Sequence, residues 1–198
     1  MTAYLDTCVG DISLAADLYV WNAQLAGACI EVIHHVEVLV RNAIHCHMRS
    51  AQTAGGLRSW LVDPDVLLPG ELRTVSDAVA RIRRLKRPVT EDRVVAGLPL
   101  SFWTRLLGTR YDELWKSTLH GAFPHGPALR REVAGRLNRV SQLRNDVAHH
   151  KSLLGVPVAD RHRDLLELAA AVDPDAAEWI GGLSGVPGLL ARSPIADA

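Results

Sequence analysis

Apolar residues recur along this chain at helical spacing, and no segment sustains the period of two that a strand requires. From Asp11 to about Met48, a stripe of Cys29, Ile33, Val36, Val40 and Ala43 repeats every three or four residues. Many positions off the stripe are apolar too, which predicts a central helix buried on most sides, with Gly27 as a place for a bend. Gly55-Gly56 ends this region. A second amphipathic run, Glu71 to Arg87, is stopped by Pro88. Thr90 is placed to cap a short helix from Glu91 to Ala96. Ser101 to Leu107 and Tyr111 to His120 read as two more short helices around Gly108. Phe123-Pro124-His125-Gly126-Pro127 breaks the pattern, and Pro127 stands where a first-turn proline opens a helix running to about Lys151. Gly155 and Pro157 close that unit. Ala159 to Val172 and Pro174 to Ile180 complete the helices, with a Gly- and Pro-rich tail after Gly181 expected to pack loosely. The expectation is one all-α domain over 1–198. It comprises a long N-terminal helix (11–48), a middle helical insert (57–123), a helix over 127–151 and C-terminal helices over 159–190.

At 198 residues the chain is long enough to bury a substantial core. Its 48% hydrophobic and 22% charged content is ordinary for a globular protein and argues against disorder except at the ends. Formal net charge is zero, so nonspecific coating of nucleic acid is excluded and any RNA contact must be a local patch. The longest apolar stretches, such as Val94 to Leu100, fall short of a membrane span, and the N-terminus lacks a basic-then-apolar signal, so no membrane association is expected. Cys8, Cys29 and Cys46 show no metal-ligand spacing and suit reduced thiols, so a cytoplasmic chain is expected. His34, His35, His45 and His47 contain no H-x3-H pair, and His45-Cys46-His47 would point three ways from a helix. No metal or other cofactor is expected.

The chemistry concentrates in Leu143-Arg144-Asn145-Asp146-Val147-Ala148-His149-His150. Arginine grips phosphate oxygens in a planar fork, and histidine can take and give a proton near neutral pH. Those are the parts needed to cleave a phosphodiester without a metal. On a straight helix Asn145 lies ~100° and His149 ~140° round from Arg144. Asn145 and His149 therefore share a face, while the apolar stripe of Val133, Leu137, Val140 and Val147 runs close to Arg144. A single straight helix does not converge these groups. Either the helix distorts near its end, or a second surface supplies the missing partner. A purely structural use of the same residues would pair Arg144 with Asp146 or Glu37, let Asn145 cap, and leave both histidines solvated.

Two other polar groups stand out. Glu37 and Arg41 are spaced i,i+4 in the favourable acid-before-base order, and Asn42 follows them on a mostly apolar helix. Arg81, Arg83, Arg84, Lys86 and Arg87 place five cations in seven residues, a local density suited to an RNA backbone or simply to a solvated helix end. Arg130, Arg131, Arg136 and Arg139 add charge upstream of the Arg-His motif.

The form RNxxAHH resembles the signature of the HEPN superfamily of RNases, in its Abi-like (abortive infection) branch. Leu18-Tyr19-Val20-Trp21-Asn22 and Glu37-Val38-Leu39-Val40-Arg41-Asn42-Ala43 are similar to that family's LYxWN and ExxLRNA blocks. Leu98-Pro99-Leu100-Ser101-Phe102-Trp103-Thr104-Arg105-Leu106-Leu107 resembles its F-W-x-x-L-L block, and Asp173-Pro174 and Trp179 stand where the family places its final helix. The resemblance covers most of the chain in the right order. It implies a HEPN-like helical bundle and a metal-independent endoribonuclease of the abortive-infection or toxin type. It also implies a composite site where two copies meet, hence a homodimer. Under it Arg144 stabilises phosphoryl charge, Asn145 orients phosphate or histidine, and His149 is the general base or acid. His150, or His149 of the second copy, supplies the other proton transfer. Glu37, Arg41 and Asn42 are implied beside the Arg-His motif, positioning Arg144. RNA, a second copy and an antitoxin protein are the implied partners. The alternative is a non-catalytic HEPN scaffold that uses these residues to bind RNA, a nucleotide or a protein. In a subgroup silenced by a nucleotidyltransferase a tyrosine follows the motif. Leu153 holds that position here, so the acceptor is missing.

Overall fold

A single helix of 42 residues, α2 (Ile12–Thr53), is the spine on which the chain is assembled. The computed structural model describes residues 2–53 and 59–195, all-helical apart from turns and loops, so the Gly55-Gly56 pair lies outside the described residues. Leu25, Cys29, Val32, Ile33, Val36, Val40 and Ile44 are buried at three- and four-residue spacing along α2. They face α7 (Arg130–Ala148), α8 (Val158–Val172) and α10 (Val186–Leu190). The helix runs without interruption through Gly27, where a bend was expected.

The middle of the chain supplies α3 (Pro69–Arg84), α4 (Glu91–Gly97), α5 (Leu100–Leu106) and α6 (Asp112–Ser117), with 3-10 turns before α3, between α5 and α6, and after α6. Thr90 caps α4 as expected, its Oγ1 accepting from the Arg93 N–H. Trp60, Phe102 and Trp103 meet here as an aromatic cluster with centroids 5.1–6.3 Å apart. Buried Glu71 accepts from Arg105 Nε at 2.6 Å and from the Tyr111 hydroxyl at 3.0 Å, tying α3 to α5 and to the turn before α6.

Four sequence expectations need correction. α1 (Thr2–Thr7) precedes the spine, and its Tyr4, with Cys8 just beyond it, packs on Ala15 and Leu18 in a small separate cluster. The helix expected from Pro127 starts instead at Arg130, because Arg130 is held at its first turn by Asp112 and by the Leu107 carbonyl. The tail after Gly181 is not loose. α9 (Pro174–Leu183) extends past Ile180, and in α10 Val186 is buried while the Leu189 carbonyl accepts from Trp21 Nε1 at 2.8 Å. Finally, the segment Ile12–Gln52 is long and apolar enough to cross a membrane by length and composition alone. The short runs singled out in the sequence hid this because Asp17, Glu31 and Glu37 interrupt it. In the fold a third of its most apolar window is buried by the other helices.

The cations upstream of the motif are engaged inside the fold. Arg139 forks onto buried Asp164 at 2.7 and 2.5 Å, and Arg136 meets Glu167 at 2.6 Å, so both fasten α7 to α8. Of the four arginines expected to extend an RNA track, only Arg131 has no such internal partner among the described residues.

Two half-buried or buried histidines set an acid limit on stability. Burial lowers the pKa of His162, whose Nε2 meets Ser184 Oγ at 2.8 Å. Burial also lowers that of His45; Arg49 reinforces the shift, while Glu91 and Asp92 oppose it. Both rings stay neutral in the folded chain where the unfolded chain already takes up protons. Stability is therefore full above the ordinary value of 6.5 and declines as pH falls from there toward the lowered folded values. Denaturation midpoints at pH 7.5 and 5.5 should show this drop, and it should shrink in His162→Gln. An equal drop in that variant would remove His162 from the account.

Candidate active site

The last turn of α7 decides which motif residues meet. The helix ends at Ala148, three residues before the expected limit at Lys151, and His149 is its C-cap. The His150 N–H then donates to the Val147 carbonyl at 3.0 Å and the Lys151 N–H to the Asp146 carbonyl at 2.9 Å. This pair of bonds closes a helix through a residue in the left-handed region, usually glycine. Here that residue is His150, with φ 54°. Histidine enters this region more readily than most side chains, though still at about 1 kcal/mol or more. The chain reversal carries His150 round to the side of Arg144.

Arg144, His150 and Lys151 consequently line one cleft of about 470 Å³, against Tyr19, Asn22 and Gly27 of α2. The pockets that hold small ligands span a similar size range. Arg144 is half-buried, and among the described residues it has neither a hydrogen bond nor an ion pair. Asp146, the partner a structural role would give it, is taken by Lys151 at 2.8 Å. His149 and Asn145 are exposed and lie outside the cleft lining. The site therefore brings Arg144 and His150 together within one copy and leaves His149 and Asn145 on the outer surface.

Two of the lining residues were missed as site candidates. Asn22 is buried and its Oδ1 accepts from the Leu153 N–H at 2.8 Å, pinning the segment just after His150 to the spine. Tyr19 stands edge-on to Tyr4 with centroids 5.6 Å apart and is 52% exposed at the cleft wall. Both lie in the Leu18-Tyr19-Val20-Trp21-Asn22 block, which carried the signal without showing what its side chains would touch.

The other expected groups fall elsewhere. Arg41 and Asn42 are 14 and 15 residues beyond Gly27, about 20 Å along the helix axis. They line a different cavity, formed with α4. No hydrogen bond or ion pair engages Glu37 among the described residues, so the expected Glu37–Arg41 pair is not formed and the trio does not adjoin Arg144 in one copy. The Arg41 and Asn42 side chains sit where α2 meets α4, not where it meets the end of α7.

Arg81, Arg83, Arg84, Lys86 and Arg87 are exposed at the C-terminal end of α3 and in the turn after it. The helix stops at Arg84, because Lys86 takes a left-handed conformation with φ 53°. Arg81 also donates to the Gly97 carbonyl at 2.8 Å, which leaves its neighbours free to meet solvent or anions. Among the described residues no group of three or more His, Cys, Asp or Glu is placed to hold a metal ion. Compared with family models, curated proteins and solved structures, the chain gives no match.

Proposed function

We propose that this protein is an endoribonuclease whose reaction centre is the cleft of Arg144 and His150. The observation that carries the reading is the unpaired, half-buried Arg144 beside an imidazole held in a strained backbone conformation. A cation with no internal partner, in a cleft with a second cation and a proton-transfer group, suits a phosphodiester better than a structural role.

The chemistry follows from those groups. An imidazole takes the proton from the ribose 2′-hydroxyl, and the 2′-oxygen attacks phosphorus. Arg144 and Lys151 offset the charge building on the non-bridging oxygens. The bond to the 5′-oxygen breaks, and that oxygen takes up a proton from a second acid. The products are a 2′,3′-cyclic phosphate and a 5′-hydroxyl. His150 is the first imidazole. His149 faces outward in the same copy, so a second copy brings the other.

A surface feature supports that second copy. Ile12, Tyr19 and Ile30 fall on one stripe of α2 at close to whole turns of spacing. They are 72%, 52% and 40% exposed, with Ala16, Ala23 and Gly27 between them. An exposed apolar stripe bordering the cleft suits a homodimer that completes the site. The Abi-like resemblance adds the abortive-infection or toxin setting and an antitoxin partner to this reading.

The purified protein should cleave single-stranded RNA in the presence of chelator, leave DNA intact, and spare RNA carrying a 2′-O-methyl group at the cut nucleotide. End-group analysis of the fragments is the measurement. Cleavage of the 2′-O-methyl substrate would rule out 2′-hydroxyl attack. Binding of RNA without any cleavage would favour the non-catalytic scaffold.

A further inference from the structure

The second polar cavity, about 400 Å³ between α2 and α4, is lined by Arg41, Asn42, His45, Arg49 and Asp92. It lies about 20 Å along α2 from the Arg144 cleft, too far for one small ligand to bridge. Its chemistry is set by an interaction behind it. Trp60 Nε1 lies 3.2 Å from His45 Nδ1. An indole N–H can only donate, so Nδ1 carries the lone pair and the proton of the neutral ring sits on Nε2. That Nε2–H is buried and has no acceptor among the described residues, in a residue only 7% exposed. Arg41 Nε, one helical turn away, is also a buried donor with no partner among the described residues. Two orphaned donors in one cavity wall are costly unless an acceptor arrives from outside. Arg49 supplies a further positive charge from the same helix face.

We infer that this cavity binds a small organic phosphate, its phosphate oxygens accepting from Arg41, His45 and Arg49. A phosphate offers acceptor oxygens only, which matches donors that have nothing else to bond. The exposed Asp92 carboxylate at the mouth disfavours a bare anion and instead accepts from a hydroxyl or amino group on the rest of the ligand. A phosphate ester of roughly mononucleotide size therefore fits better than inorganic phosphate.

Calorimetric titration of the full chain with ribose 5-phosphate and the four ribonucleoside 5′-monophosphates tests this. At least one should bind, the matching unphosphorylated ribose or nucleoside should not, and inorganic phosphate should bind more weakly. Binding should shift the His45 Nε2 proton resonance. Arg49→Ala, at an exposed position that leaves packing intact, should weaken binding about tenfold, as loss of one charge-assisted contact implies. Arg41→Met keeps the apolar stem and should weaken it similarly. Arg144→Ala should leave it unchanged, which separates this site from the nuclease cleft. Equal affinity for phosphorylated and unphosphorylated forms, or for Arg49→Ala and the parent, would overturn the proposal. So would binding of none of these compounds at millimolar concentration, or of an RNA oligonucleotide alone.

Discussion

On the proposed nuclease reading, replacing His150 with alanine should lower RNA cleavage by about 10²–10⁴-fold, the usual contribution of one positioned proton-transfer group. The fold should survive, since the side chain is exposed and makes no hydrogen bond among the described residues. His150→Gly is the companion variant. It removes the same imidazole but suits the left-handed backbone, so equal loss in both variants locates the defect in the ring and not in the turn. His149→Ala adds the question of assembly. Its imidazole lies outside the cleft of its own copy, so a comparable loss there requires a second copy to bring it in. Mixing the inactive His149→Ala and His150→Ala chains should then restore part of the activity through mixed dimers. Unchanged cleavage by His150→Ala would remove this residue from the reaction.

Trp103→Ala should destabilise the fold by about 3–5 kcal/mol, the usual cost of deleting a large aromatic side chain from a core. Trp103 is fully buried, with Phe102 at 5.1 Å and Trp60 at 6.2 Å. Its indole N–H has no partner among the described residues, so Trp103→Phe should cost less, because it removes an unsatisfied donor along with the lost volume. Urea denaturation of the two variants makes the comparison. A loss below about 1 kcal/mol for the alanine variant would mean that this cluster does not hold the middle helices to α2.

The long helix, the cap at Thr90, α3, α8 and α9 were legible because apolar periodicity and cap chemistry are local. The start of α7 was not. Pro127 has the right chemistry for a first turn, but the helix begins where Arg130 finds Asp112, a contact between elements. α1 went unread, and α10 was covered only within the C-terminal helices over 159–190, because both are short and packing against α2 holds them where propensity alone would not. At the candidate site, the motif named a segment that lines the cleft. A straight helix was extended to Lys151, three residues past its end at Ala148, so the sequence did not show that His150 lines the Arg144 cleft while His149 faces outward. Whether His149 or His150 meets Arg144 depends on one backbone dihedral after Ala148, and no hydrophobic pattern reports it. That Arg41 and Asn42 line a cavity separate from the Arg144 cleft within one copy was hidden for a related reason. Sequence order puts them on the same helix, but only the crossing point of α7 on α2 says which stretch of that helix the motif overlooks.

The left-handed conformation of His150 sets local stability and chemistry against each other at a single codon. Glycine is the residue that position favours on backbone grounds, and every other choice there is held in place by its surroundings. Selection for thermal resistance alone would therefore drift toward glycine at 150 and lose the imidazole without disturbing any buried contact. On the proposed reading, a library sorted for heat tolerance should enrich soundly folded chains without the imidazole, whereas one sorted for RNA cleavage should retain the less stable histidine.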